Sequence, residues 1–163
     1  MDAPVLVAVS FVAMEAVSYT LHRWVMHGFG MGWHRSHHRP DDGGFERNDL
    51  FPLCFSAVGV LTFALAAYGP AIRPLFWVGT GVTLYGACYA YVHDVFIHQR
   101  LKLPAPRLRY LAWLREAHRV HHLFSGEPYG MLFPVVPRAL RARAERRSTR
   151  LERRSTRPER MRL

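Results

Sequence analysis

The sequence predicts an all-α, integral membrane helical bundle of three to four spans, with a cytoplasmic histidine-rich cap that holds two metal ions. Three apolar stretches are each close in length to the roughly 20 residues that a bilayer-spanning helix requires. All ten histidines lie in two windows, 22–38 and 93–122. Most of the net positive charge lies in residues 138–163. A soluble bundle of three buried helices is the alternative, but its helices would be amphipathic rather than uniformly apolar.

The predicted spans follow one another closely along the chain. Pro4 and Pro52 fit the first turn of the first two spans, where a missing N–H costs nothing. Gly28 suits the end of the first span. Cys54 and Cys88 lie inside spans, and we expect them to be small buried residues. The pattern does not decide whether the third stretch is one span or two. The three stretches are residues 4–26, about 50–69 and about 74–97.

The remainder of the chain divides into a helix, an irregular segment and a tail. Residues 107–122 have a helical pattern, with one face that is apolar at its start and rich in histidine at its end. Residues 124–140 contain several glycines and prolines, which predicts an irregular apolar flap against the site or the membrane. We therefore expect a membrane-embedded domain over residues 1–137 and a separate tail over 138–163.

The tail is strongly basic. It contains eleven arginines and three glutamates, which give +8 of the total net charge of +10. Such a run predicts disorder or a fraying helix. Beside a membrane it would be attracted to the anionic headgroups of the lipid bilayer. We expect no nucleic-acid binding, because no aromatic residues or recognisable module accompany the arginines.

The histidines form two motifs that occur twice in the same order. Neutral imidazole is a good ligand for iron, zinc, copper and nickel, and ten imidazoles exceed what one ion needs. The spacing therefore predicts a site for two metal ions, delivered in two halves that the fold must bring together. The motifs are H-x4-H at His22 and His27, H-x2-H-H at His34, His37 and His38, H-x4-H at His93 and His98, and H-x2-H-H at His118, His121 and His122.

The two motifs differ in how easily a helix can use them. In H-x2-H-H all three residues can converge on one centre, because they are three and four positions apart. In H-x4-H the two imidazoles point about 140° apart on an ideal α-helix. We therefore expect that the first span unwinds, that a π-type turn intervenes, or that each histidine serves a different metal ion.

Topology allows the two windows to meet. They follow the first and third spans, and the two intervening crossings return the chain to the same side of the bilayer. The tail shares that side with Arg35, Arg39 and Arg47, whereas the opposite hairpin contains only Arg73. By the positive-inside rule, the histidine side is cytoplasmic.

The residues also limit the chemistry. There is no Ser-His-Asp arrangement, phosphate loop, Rossmann glycine pattern or cysteine cluster. A histidine-rich site for two metals at a membrane surface suits O₂ activation on a lipophilic substrate. A membrane metal transporter is an alternative, although transporter ligands usually lie near the bilayer midplane. A haem-binding anchor is another, although it needs fewer histidines.

The histidine windows, together with Phe45-Glu-Arg-Asn-Asp-Leu50 and His93-Asp-Val-Phe-Ile-His98-Gln-Arg100, resemble the bacterial β-carotene hydroxylases of the fatty acid hydroxylase superfamily. All ten histidines match the pattern of that family. The resemblance covers roughly residues 10–135 and excludes the arginine-rich tail.

This resemblance implies a non-haem di-iron monooxygenase of the bacterial plasma membrane. It would hydroxylate C3 of carotenoid β-ionone rings with O₂ and with electrons from a ferredoxin and its reductase. A fatty acyl or sterol hydroxylase or desaturase is the nearest alternative. Six further residues are candidates to support the ligands or line the substrate path: Glu15, Trp33, Asp49, Tyr89, Tyr91 and Asp94.

Overall fold

The computed structural model describes residues 2–39 and 45–155, and within this part of the chain it contains helices and no strands. The Pro-Asp-Asp-Gly-Gly segment of the first connection lies outside the described residues. The elements are α1 (Ala3–Thr20), a π-helical segment (Leu21–Phe29), α2 (Met31–His34), a 3₁₀ turn (Arg47–Asp49), α3 (Leu50–Ala66), α4 (Pro74–Ala90), a second π-helical segment (Tyr91–Ile97), α5 (Arg109–Phe124) and α6 (Arg138–Ser155).

The all-α membrane architecture is confirmed. Three helices of the described chain are long and apolar enough to span a bilayer: Ala3–Phe29, Arg47–Ala66 and Pro74–Ile97. The third helix is continuous, so the stretch that the sequence left open as one span or two is a single span. No residue of α1 is buried, and large apolar side chains such as Val12 and Val60 are exposed. Exposed apolar surface of this kind requires lipid rather than water around it.

The cysteine prediction is wrong. Both Cys54 and Cys88 are exposed, on the outer surface of α3 and α4. The prediction assumed that apolar residues lie inside, whereas a helix surrounded by lipid presents apolar residues outwards as well.

Glycines allow the spans to pack closely on α4, which contacts both α1 and α3. A Cβ atom at Gly81 would lie 2.5 Å from the Val7 carbonyl oxygen and 2.8 Å from the Ser10 Cβ, so α1 could not approach any larger residue. On the α3 side, a Cβ atom at Gly79 would lie 3.2 Å from the Phe63 ring. Small residues at helix contacts are the usual means by which membrane helices associate.

The buried core lies at one end of the bundle, where α5 packs against the second π-helical segment. Arg115 on α5 donates to the Phe96 carbonyl at 2.8 Å and covers the Phe96 ring. The chain between α5 and α6, residues 125–137, is irregular, and we call it the flap. Core members come from α4, the π-helical segment, α5 and the flap: Tyr85, Val92, Phe96, Leu111, Leu114, Met131 and Leu132.

The arginine-rich segment forms helix α6 as far as Ser155 and contacts α5. Ala144 is only 1% exposed, the Arg143 guanidinium lies 4.7 Å from the Phe124 ring centroid, and Arg147 donates to the Leu123 carbonyl. The last eight residues lie outside the described chain. The division into two domains at residue 138 stays a prediction.

Candidate metal centre

The first H-x4-H motif lies in a π-helical segment, and in the second motif His93 lies in such a segment and His98 directly follows it. The His98 N–H donates to the His93 carbonyl at 2.9 Å, which is the hydrogen bond between residues five apart that defines a π turn. This turn places the second imidazole of each motif above the first, so both can face one point. In the first segment the helix breaks immediately afterwards, where Gly28 has φ −100° and ψ −122°. Of the three arrangements that the spacing left open, the π turn is the one observed.

The imidazoles form two groups. In each group, four candidate ligand nitrogens lie within 4.8 Å of one another. The first sequence window supplies three members of group 1 and one of group 2, and the second window supplies the rest. The two halves of the sequence are therefore interleaved rather than devoted to one group each. Group 1 is His22, His27, His34 and His121, and group 2 is His37, His93, His98 and His118.

The two remaining histidines adjoin these groups. His38 Nε2 lies 3.1 Å from His34 Nε2 and 3.3 Å from His27 Nε2, beside group 1. His122 Nε2 lies 3.2 Å from His37 Nε2, beside group 2. The rings of His38 and His122 stack on each other with centroids 4.5 Å apart, so they lie between the two groups. All ten histidines thus converge on one location.

The H-x2-H-H triplets are divided between the groups. The sequence suggested that the three residues of a triplet converge on one centre, but His37 faces group 2 while His34 faces group 1. His118 and His121 are divided in the same way. The reason is geometric: residues three positions apart on a helix point about 60° apart around its axis, so a triplet that lies between two centres contributes to both.

Three outward-facing ring nitrogens of group 1 have oxygen acceptors. His22 Nδ1 donates to the Tyr129 carbonyl at 2.9 Å, and His121 Nδ1 donates to the Gly126 carbonyl at 2.6 Å. His34 Nδ1 donates to Asn48 Oδ1 at 2.7 Å. Each acceptor fixes the proton on Nδ1 and leaves the inward-facing Nε2 with a lone pair. This arrangement is typical of histidines that ligate a metal ion.

Group 2 is supported by carboxylates. His93 Nδ1 donates to Asp94 Oδ1 at 3.0 Å, and Glu46 Oε2 lies 3.7 Å from His37 Nδ1. Arg100 contacts Asp94 at 3.4 Å and forms two 2.7 Å hydrogen bonds with Asp49. The two carboxylates and the guanidinium therefore join the start of the second span to the end of the third.

The inward-facing nitrogens fit a metal ion. Every histidine has its Nε2 within 2.9–3.3 Å of another Nε2. Two ligands that are each about 2.1 Å from one ion at a right angle lie about 3.0 Å apart. His22 Nε2 and His34 Nε2 are 3.2 Å apart although both rings carry their proton on Nδ1. Two lone pairs at that distance repel each other unless a cation binds both.

The histidines outside the spans are held in the neutral form that metal ligation needs. Burial, reinforced by neighbouring imidazoles, lowers the pKa of His34 to about 3, of His122 to about 3 and of His98 to about 4. Burial likewise lowers the pKa of His118 and His121 far below the usual value. Protonation therefore does not compete with a metal ion near neutral pH.

The six candidate supporting residues occupy different places. Asp94 and Asp49 have the contacts described above. The Glu15 carboxylate contacts the flap. The Tyr89 ring centroid lies 5.4 Å from that of His93. Tyr91 donates to the Pro104 carbonyl. Trp33 is 47% exposed and packs against Phe51. A role for any of them in a substrate path stays a prediction.

Sequence reasoning missed several residues that support the imidazoles. Asn48 is buried. Its position, a polar residue at the start of an apolar span, is visible in the sequence and could have marked it as a candidate. The acceptors on Gly126 and Tyr129 are backbone carbonyls, and a carbonyl group is present at every residue. No side-chain pattern could therefore have identified these two.

Comparison with known proteins agrees with this geometry. The fatty acid hydroxylase family matches residues 7–141. The chain is 41% identical over 142 residues to a protein named beta-carotene hydroxylase from Pseudescherichia vulneris, covering 84% of this chain and 80% of that one. It is 43% identical over 123 residues to the protein of that name from Pantoea ananas, covering 75% and 69%. A chloroplastic beta-carotene 3-hydroxylase 2 from Arabidopsis thaliana is 35% identical over 125 residues, covering 74% and 41%. No solved structure matches the chain.

Proposed function

The chain belongs to the fatty acid hydroxylase family, and we propose that it is a β-carotene 3-hydroxylase with two non-haem iron ions. The reaction consumes O₂ and hydroxylates C3 of each β-ionone ring, converting β-carotene to β-cryptoxanthin and then to zeaxanthin. Canthaxanthin is a further proposed substrate, with astaxanthin as the product. The names of two bacterial relatives support the substrate, and the name of the plant relative supports the position.

The observation that carries this proposal is the set of inward-facing imidazole nitrogens. Groups 1 and 2 each offer four such nitrogens within 4.8 Å, and His38 and His122 are available as additional ligands. In the proposal, each group with its adjoining histidine holds one ion. When bound, the two iron ions supply the reduction of O₂ and the oxidation of a C–H bond, which no protein side chain can perform.

The residues of this chain orient and protect that site. The acceptors on Nδ1 of His22, His34, His121 and His93 fix which nitrogen faces inward. Six of the ten imidazoles are buried, which limits the access of water to the site. C3 is not the allylic carbon of the ring, whereas C4 is. Selection of C3 therefore depends on how the apolar surroundings position the ring, since reactivity alone would favour C4.

The proposed location is a bacterial plasma membrane, with the histidine groups on the cytoplasmic side. The distribution of arginines supports this orientation, because Arg35, Arg39, Arg47 and helix α6 share the histidine side while Arg73 lies in the opposite hairpin. Electrons come from a ferredoxin and its reductase in this proposal. The arginines of α6 contact anionic lipid headgroups.

Expression in a bacterial host that accumulates β-carotene tests the function. Chromatography of extracted pigments should show zeaxanthin with β-cryptoxanthin as an intermediate, and the purified protein should contain two iron ions per chain. His34→Ala, which removes a ligand without altering the spans, is the matched control and should give neither product.

Metal-loaded protein that leaves β-carotene unchanged would contradict the substrate assignment and would favour a fatty acyl or sterol hydroxylase or desaturase. Bound metal with a metal-dependent change in cellular metal uptake, and no oxidised lipid, would instead favour a transporter.

A further inference from the structure

Glu15 is the one acidic residue within the first span, and its carboxylate is fully occupied by hydrogen-bond donors. Oε1 accepts from the backbone N–H groups of Met131 and Phe133 at 2.9 and 3.0 Å. Oε2 accepts from the Leu132 N–H at 3.1 Å and from the Tyr85 hydroxyl at 2.7 Å. Three consecutive N–H groups of the flap thus surround one anion. A carboxylate within a span is costly unless it is paired in this way.

The flap held by Glu15 is also the segment that orients group 1. The Tyr129 carbonyl accepts from His22, and the Gly126 carbonyl accepts from His121. The Tyr129 ring lies edge-on to His22, His27 and His121, with centroids 5.1–5.5 Å away. In group 2, the oxygen atoms near Nδ1 of His93 and His37 belong to Asp94 and Glu46, which lie outside the flap.

We propose that Glu15 is a positioning residue for the metal ion of group 1 and has no such role for the ion of group 2. It fixes the flap to the first span, and the flap carbonyls then hold His22 and His121 with Nε2 facing inward. This inference rests on the proposed function in assuming two bound ions. In this proposal the Glu15 carboxylate does not contact a ligand nitrogen, but it affects the binding of one of the two ions.

Two accepting oxygens are necessary for this role. Glu15→Gln replaces one oxygen with an NH₂ group, which would face a backbone N–H and could not accept from it. At least one flap N–H would then lose its acceptor, and the flap would shift. Gly130 gives a second way to disturb the same contact, because a Cβ atom there would lie 2.6 Å from Glu15 Oε1 and 3.2 Å from the Pro134 Cα.

The experiment measures iron release, not activity. Each variant is purified in detergent and loaded with Fe(II), and the ions are counted as an excess of a coloured chelator removes them. Glu15→Gln and Gly130→Ala should each release one of two ions about tenfold or more faster than the wild type, in line with the loss in metal affinity typical when a ligand's hydrogen-bond partner is removed. The second ion should leave at the wild-type rate.

Two further variants make the assignment specific. Glu116→Gln is the matched control, because it makes the same substitution at a half-exposed carboxylate outside the flap. That carboxylate pairs with Arg119 on the same helix, and release should stay at the wild-type rate. Asp94→Asn replaces the carboxylate that accepts from His93 in group 2 with a neutral and weaker acceptor, and it should release the other ion faster. The double variant with Glu15→Gln should therefore release both ions fast.

The outcomes separate the two proposals. A wild-type protein that binds no iron would overturn the proposed function. A wild type with two ions, combined with Glu15→Gln that accelerates both or neither, would overturn only the role of Glu15. The same conclusion follows if Asp94→Asn alone accelerates one ion and its double variant with Glu15→Gln still keeps one slow ion, since both residues would then act on the same ion. If Glu15→Gln does not fold, Gly130→Ala decides the question in the same assay.

Discussion

The contact between α1 and α4 can be tested by adding one methyl group to it. A Cβ atom at Gly81 would lie 2.5 Å from the Val7 carbonyl oxygen, and real Cβ contacts below 3.0 Å are essentially never seen. The backbone of α1 must therefore move by at least half an ångström in Gly81→Ala. The usual cost of inserting a methyl group into a well-packed contact is about 1–3 kcal/mol.

Gly86→Ala is the matched control for this substitution. Gly86 lies on the same helix, and a Cβ atom there would meet nothing within 4 Å. Both variants change the intrinsic helix preference by the same amount, so the difference between them isolates the clash with α1. The thermal unfolding midpoint in detergent should be roughly 2–12 °C lower for Gly81→Ala than for Gly86→Ala, at about 2–4 °C per kcal/mol for a chain of this size. The midpoint of Gly86→Ala should not fall below that of the wild type.

A Gly81→Ala protein that unfolds at the same temperature as Gly86→Ala, or above it, would refute the close approach of α1 to α4. The consequence would extend beyond stability, since α1 leads into His22 and His27 whereas α4 leads into His93 and His98. The interleaving of the two groups depends on this packing.

Three further predictions concern the site. His34→Ala removes one ligand from group 1, and His118→Ala removes one from group 2. Elemental analysis should show that each variant retains about one of the two iron ions. Retention of both ions would argue against two separate groups. Without metal, the free energy of unfolding should fall as the pH is lowered from about 6.5 towards 4. A histidine in the unfolded chain has a pKa of about 6.5 and takes up a proton over this range. In the folded protein the pKa values of His34 and His98 are about 3 and about 4, so these two residues stay neutral over most of it. Denaturant titrations at several pH values measure this, and stability that rises on acidification would exclude it. Arg100→Lys should lower the free energy of unfolding by about 1–2 kcal/mol, because an ammonium group cannot reproduce the paired hydrogen bonds with Asp49. An unchanged denaturation midpoint would show that the paired geometry contributes nothing beyond the charge.

Much of the architecture could be predicted from the sequence because the physics of a bilayer depends on residue type alone. Runs of apolar residues near 20 positions long identify spans wherever they occur, and the structure has three such helices, including Pro74–Ile97 as one continuous span. For the tail, the arginines indicated disorder or a fraying helix. Its described part, Arg138–Ser155, is a helix that contacts α5.

By itself, the sequence determined that two histidine windows lie on one side of the membrane, because an even number of crossings separates them, and that ten imidazoles suffice for two ions. Only the tertiary structure decided which imidazole belongs to which group. That choice depends on the rotation of α1 against α4 at Gly81, on the π turns, and on how a triplet such as His34, His37 and His38 lies between two centres. It depends as well on flap carbonyls that orient His22 and His121. These are relations between segments distant in the chain, and a backbone carbonyl has the same chemistry at every residue, so no local pattern can specify them.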